Sequence, residues 1–147
     1  MPLFDTFAIS SSGMTSNRLW LDLITNNIVN INTAGRPGDP GLQPYRRQVP
    51  VFAEVLEAAT GSVPGKEKYK GLGVHVPRVV EDPADARMVH DPSHPYADEN
   101  GYVAYPNINI ANEMVNMIAA TRAYEASVTA MNSAKNMALK ALEIGRG

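Results

Sequence analysis

The chain predicts an α+β fold in which long N- and C-terminal α-helices pair as a coiled coil around an inserted, small proline-rich β region. Three observations predict it. Both ends carry apolar residues at alternating steps of four and three, the 3.5-residue period of coiled-coil helices. Residues 35–106 hold ten of the eleven prolines and eight of the eleven glycines, which bars a long helix there. Short runs within that middle stretch alternate apolar and polar residues, as strands do. The expected organisation is an N-terminal helix in 1–34, a β region in 35–106 and a C-terminal helix in 107–147.

The first helix is expected over residues 1–33. Its stripe runs Leu3, Phe7, Ser10, Met14, Asn17, Leu21, Ile24, Ile28 and Ile31, seven of the nine being apolar. Asp5 lies in the first turn, where the helix dipole favours a negative charge. Ser10, Ser11, Ser12 and Gly13 weaken it early, since serine competes for the backbone and glycine costs about 1 kcal/mol. Asn26, Asn27, Asn30 and Asn32 crowd its end, which leaves that end marginal in isolation.

The middle opens with GRPGDPGLQP at residues 35–44, which is no helix. From Tyr45 to Leu56 the chain alternates, with Tyr45, Arg47, Val49, Val51, Ala53 and Val55 on one side. That is a strand, interrupted by Pro50 toward an edge or a bulge. Residues 60–71 read as a mobile polar loop with Lys66, Lys68 and Lys70. A second strand is expected over Val74–Val80, and short ones over Arg87–His90 and Tyr102–Tyr105. Asn100-Gly101 is a turn dipeptide leading into the last of them.

The second helix runs from Ile110, with no proline or glycine before Gly145. Its stripe is Ile110, Met114, Met117, Thr121, Tyr124, Val128, Met131, Lys135, Ala138 and Leu142, eight of the ten being apolar. Asn109 or Asn112 serves as N-cap, Glu113 and Lys140 suit the dipole, and Gly145 ends the helix. At 1.5 Å per residue it is about 50 Å long, too long for the interior of a 15.9 kDa globule, so it needs a partner. Beside this stripe runs a second one of small residues, Ala120, Ala123, Ser127, Ala130, Ala134, Ala138 and Ala141. It reads either as helix propensity alone or as a second packing face, one face serving the chain's own helix and the other another molecule. In the second reading, enlarging Ala130 or Ala134 overpacks a close contact.

Little in the chain points to catalysis. The net charge of −2 is mixed in sign and offers no nucleic-acid surface. The absence of cysteine excludes disulfides and thiol chemistry. No apolar run approaches the roughly 20 residues of a membrane span, and no cleavable leader is expected. His90 and His94 with Asp91, Asp98 and Glu99 invite a metal reading, but Pro92 and Pro95 keep both rings off one helical face. No phosphate loop or nucleophile elbow is present, and Trp20 reads as a packing residue. The expectation is a non-enzyme with no cofactor or metal. The acidic turn around Asp91, Asp98 and Glu99 is expected to meet basic groups on a partner.

SGMTSNRLWLDLITNNIVNINT at residues 12–33 resembles the N-terminal signature of flagellar rod, hook and hook-associated proteins. The matching residues are Ser12, Gly13, Met14, Arg18, Asp22, Asn27, Ile28, Asn30, Asn32 and Thr33. Val29 departs from the usual alanine and adds two methyl groups at a helix end. EMVNMIAATRAYEASVTAMNSAKNMALKALEIGR resembles the C-terminal helix of the same family, with Met114, Met117, Tyr124, Val128, Ala130, Met131, Ala134 and Leu142 as its assembly residues. DPSHPYADENGYVAYPNINI narrows the resemblance to the proximal rod.

The resemblance implies a structural subunit of the basal-body rod, the drive shaft that crosses the periplasm, transmits torque and encloses the export channel. It implies helical assembly with copies of itself, with the proximal rod proteins FlgB and FlgF, the distal rod protein FlgG and the adaptor FliE. It also implies passage through the flagellar type III export apparatus without signal cleavage, and no nucleic-acid or small-molecule partner. A coiled-coil interaction module of another system, or another axial protein of hook or distal rod, is the alternative. Since a lone helix pair leaves much apolar surface wet, the terminal helices are expected to be poorly ordered in the monomer and to fold on assembly.

Overall fold

A computed structural model describes residues 2–58 and 69–145. The order of elements is α1 (Pro2–Val29), β1 (Gln48–Ala58), β2 (Tyr69–Glu81), β3 (Arg87–His90), β4 (Tyr102–Tyr105) and α2 (Ile110–Ile144). This is α+β, with one long helix at each end and two separate two-stranded sheets, β1 with β2 and β3 with β4. The expected loop residues 60–68 lie outside the described residues. Tyr69–Gly71, placed in that loop by sequence, instead open β2.

The chain divides into two compact units, and both long helices contribute to each. One unit contains Met1–Leu19, Val51–Arg78 and Ala119–Gly147. Its buried positions include Ser10, Ser16, Ala120 and Ala134. Here α1 runs without a break through Ser10–Gly13, because serine hydroxyls find partners that keep the helix intact. Ser12 donates to the Ile9 carbonyl (2.7 Å) and accepts from the Val74 N–H (3.2 Å). Ser16 donates to the Val74 carbonyl (3.3 Å). The two hydroxyls thus clamp one residue of β2. Gly73, beside them, has φ +114°, and a Cβ there would collide with the Ser12 hydroxyl. A Cβ on Gly13 would lie 3.0 Å from the Ser127 Oγ of α2, so the helices approach closely at that point.

The other unit contains Trp20–Pro50 and Val79–Ile118. Leu23, Ile24, Val103 and Ala104 form its apolar core. β3 and β4 are antiparallel, pairing Arg87 with Tyr105 through His90 with Tyr102. Gly35 extends this sheet by an isolated antiparallel bridge to Ala104, made of two bonds of 2.8 and 3.0 Å. Asn100-Gly101 makes the expected turn, with Gly101 at φ +78°. α1 ends at Val29, earlier than the expected Thr33. Asn30 there donates to the Asn26 carbonyl (2.9 Å), and Thr33 donates to Asn30 Oδ1 (3.2 Å). Asparagine side chains that bond nearby backbone offer an alternative to helix.

α1 turns its expected stripe inward. Ser10 and Ile24 are buried, and Phe7, Met14, Asn17, Leu21, Ile28 and Ile31 are half-buried. On α2 the expectation needs correcting. Ile110, Met114, Tyr124 and Leu142 of the large apolar stripe are exposed. The inward face is the small-residue stripe, with Ala120 and Ala134 buried and Ala123, Ser127 and Ala138 half-buried. Met117, Val128 and Met131 sit half-buried at its border, while Ala130 and Ala141 are exposed. Small side chains win the inward position because they permit the approach seen at Gly13 and Ser127.

The acidic turn is braced by its own carboxylates. Asp91 Oδ1 accepts from the Ser93 N–H (3.1 Å) and hydroxyl (2.6 Å). Those bonds, helped by His94 and His90 nearby, hold its carboxyl below the usual range. Asp98 Oδ1 accepts from the Asn100 and Tyr102 N–H groups (2.9 and 2.7 Å). Both carboxylates are thus engaged in fixing their own turn, as aspartate side chains do, and Glu99 beside them is exposed. His90 packs edge-on against Tyr102, and His94 lies against Tyr96 and Tyr105.

Candidate functional site

Asn27 and Glu113 are each only 1% exposed, and together they centre a polar brace in the second unit. Asn27 stands near the end of α1 and Glu113 in the first turn of α2. Asn27 Nδ2 donates to the Gln48 carbonyl (2.9 Å) and to Glu113 Oε2 (3.1 Å). Its Oδ1 accepts from the Gln48 N–H (2.9 Å) and the Tyr45 hydroxyl (3.0 Å). All four hydrogen-bonding positions of the amide are filled.

Glu113 is met on its other oxygen by Arg47. Arg47 Nε lies 2.9 Å and Nη2 2.7 Å from Oε1, while Nη1 reaches Asp82 Oδ2 at 3.4 Å. The carboxylate is thereby neutralised where water does not reach it. Removing the arginine would strand a buried charge at a cost of about 3–5 kcal/mol. Burial, and then the charges of Glu113 and Glu81, raise the Tyr45 hydroxyl above its ordinary pKa, so it stays protonated and donates.

Asn109 caps α2, its Oδ1 accepting from the Asn112 N–H (3.2 Å). Glu113 is therefore no simple dipole partner, as its first-turn position implied, but a member of the brace. The sequence carried one signal of this: Arg47 shares the inward side of an alternating run, and an inward arginine requires an acid. Nothing in the linear pattern said which acid.

The signature residues divide by placement. Ser12, Gly13 and Asn27 make the contacts described above. Met14, Ile28 and Asn30 are half-buried, whereas Arg18, Asp22, Asn32 and Thr33 are exposed. Among the described residues, Arg18 and Asp22 form no ion pair.

Of the C-terminal positions, Met114, Tyr124 and Leu142 face outward alongside Val115, Ile118, Met137, Leu139 and Ile144, the last 83% exposed. α2 therefore buries Ala120 and Ala134, half-buries Met117, Val128 and Met131, and exposes most of its other large apolar side chains. Ile110, Met114, Ile118, Tyr124, Leu139 and Leu142 fall on one side of the helix, an exposed apolar stripe of the kind that suits cover by another molecule. Among the described residues no group of three or more histidines and acids is placed to hold a metal ion. No helix among them is long and apolar enough to cross a membrane.

Comparison with known proteins agrees with this picture. The family described as flagellar basal body rod FlgEFG protein C-terminal matches residues 99–144, which include β4 and all of α2. Three relatives are each called flagellar basal-body rod protein FlgC. That of Borreliella burgdorferi is 41% identical, with both chains covered in full. That of Bacillus subtilis is 37% identical over 99% of this chain and all of its own. That of Salmonella typhimurium is 35% identical with the same coverage. At such identity over the whole length, the chain belongs to the FlgC family of flagellar basal-body rod proteins.

Proposed function

We propose that this chain is a structural subunit of the flagellar basal-body rod and that it acts by being packed against neighbours rather than by chemistry. The observation that carries the reading is the exposure on α2: Ala120 and Ala134 are buried, while Ile110, Met114, Val115, Ile118, Met137, Leu139, Leu142 and Ile144 lie outward. Each large apolar side chain covered by a neighbour contributes about 1.5–3 kcal/mol, and such faces repeat in every copy.

In the finer reading, α1 and α2 pair as a coiled coil that forms the inner layer around the export channel, and the residues 35–106 form the outer region. Arg18, Asp22, Met114, Tyr124 and Leu142 meet neighbouring subunits, whether copies of this chain, FlgB, FlgF and FlgG, or the adaptor FliE. The site is the proximal rod in the periplasm, reached through the flagellar export apparatus without signal cleavage. Heterologous contacts between repeated subunits generate such a helical stack.

Complementation of a strain lacking the subunit tests this. Leu142→Ser with Ile144→Ser is expected to leave the protein folded and exported while rods fail to form and cells fail to swim. Normal swimming by the double variant would sink the reading.

A further inference from the structure

Asn100-Gly101 is the only Asn-Gly pair in the chain, and asparagine is a thermolabile residue. Its lability is a ring closure. The backbone nitrogen of the next residue attacks the asparagine Cγ, and glycine, having no side chain, hinders that attack least. The nitrogen gives up its proton, a C–N bond forms and the side-chain amide leaves as ammonia. Water then opens the succinimide at one of its two carbonyls, and the product is aspartate or isoaspartate.

The fold holds the groups that this attack needs. The Gly101 N–H donates to the Asp98 carbonyl (3.0 Å), and the Gly101 carbonyl accepts from the Asp91 N–H (2.8 Å). The Asn100 N–H donates to Asp98 Oδ1 (2.9 Å). The bond from Gly101 to Asp98 closes a β-turn in which neither Glu99 nor Asn100 has a positive φ, so the turn is type I with Asn100 third. At that position ψ is near 0°, which sets the Gly101 nitrogen roughly 120° about the Cα–C bond from the Asn100 Cβ. The ring closes only when the two are eclipsed. Gly101 has no room to swing round, because it is buried and Pro92 Cγ and His90 Nε2 lie 3.0 and 3.1 Å from where a Cβ would sit.

We propose that Asn100 is a self-modification site governed by folding. The turn withholds the Gly101 nitrogen, so the folded subunit keeps its asparagine, while a chain held unfolded converts to isoaspartate and loses the turn. Isoaspartate routes the backbone through its side chain and adds a methylene to it. The bonds of Gly101 to the Asp98 carbonyl and of the Tyr102 N–H to Asp98 Oδ1 (2.7 Å) span that point, as does the pairing of His90 with Tyr102. The next residues, Val103 and Ala104, belong to the core of their unit. Time spent unfolded is thereby written into the chain at a place where refolding requires the original turn.

The test needs no rod. The full-length protein is incubated in native buffer and in guanidinium chloride at one mildly alkaline pH. The tryptic peptide of residues 88–122 is then fragmented to locate the mass gain, and labelling by an isoaspartyl methyltransferase counts the isoaspartate. Deamidation at Asn100 is expected to be at least about tenfold slower in native buffer, where it waits on local opening. Equal rates in the two solvents would overturn the proposal, as would denatured protein modified mainly at another asparagine. Asp98→Ala removes the acceptor of the Asn100 and Tyr102 N–H groups and leaves Asn-Gly intact. It is expected to speed the native reaction about tenfold without changing the denatured one, and Asp98→Asn, which keeps an oxygen there, is expected to restore protection. A native rate unmoved by Asp98→Ala would count against the proposal. Should that variant not fold, the two solvents compared on the unaltered protein still decide. After dilution from denaturant, the fraction of aged protein that refolds should fall in step with its isoaspartate, while Asn100→Gln aged alike refolds. Aged unaltered protein that refolds as well as Asn100→Gln would overturn the coupling to the turn.

Discussion

Tyr45 gives the brace a pH signature. Its hydroxyl titrates above the ordinary value of 10.0, first because it is partly buried and then because Glu113 and Glu81 repel the phenolate. A pKa raised in the folded state contributes stability that is complete below the unfolded value and lost as pH rises through the folded one. The chain should therefore lose stability above about pH 10, and Tyr45→Phe should lose less over the same interval in thermal melts at matched pH. Gly73 offers a second test at this scale. Alanine at Gly38 meets open space at φ +78° and costs only left-handed strain, about 1–2 kcal/mol. Alanine at Gly73 adds a collision with Ser12, and urea unfolding should show a loss of roughly 2–5 kcal/mol. Of these details, the sequence displayed the inward side of Arg47 and the turn at Asn100-Gly101. It did not display Ser12 gripping Val74 or Asn27 meeting Glu113, because bonds between distant segments leave no local period.

At the scale of elements, periodicity located both helices and all four strands, with β3 and β4 bounded correctly to the residue. It took the large apolar stripe of α2 as the pairing seam, whereas Ala120 and Ala134 of the small stripe are the buried positions. Hydropathy favours burying Ile110, Met114 and Leu142, but a chain that must also bind neighbours spends its large side chains outward. The distinction yields a paired prediction. Ala134 is buried and Ala130 exposed, although both belong to the small stripe. Ala134→Leu should overpack the interior and destabilise the isolated subunit by about 1–3 kcal/mol, whereas Ala130→Leu should stay within about 0.5 kcal/mol. Equal losses in denaturant titrations would place both residues inside.

For the whole molecule, the described large apolar residues that lie exposed outnumber those that are buried. That imbalance is the mark of a part rather than a finished globule. Met114→Ser with Ile118→Ser should accordingly leave the monomer's melting curve unchanged while rod assembly and swimming are lost. A monomer destabilised by the pair would show that these side chains serve the chain itself. A subunit with so much apolar surface exposed also runs a hazard: it must meet its neighbours in one manner only. Among the described residues the sheet of β1 and β2 has two strands, so beyond the bonds of Gln48 to Asn27 and of Val74 to Ser12 and Ser16 each keeps a side with no strand beside it, and an open strand invites another strand. Both carry a proline, Pro50 and Pro77, and each lacks the N–H that a further strand would need as donor. Fibrous strand-by-strand growth is thereby discouraged.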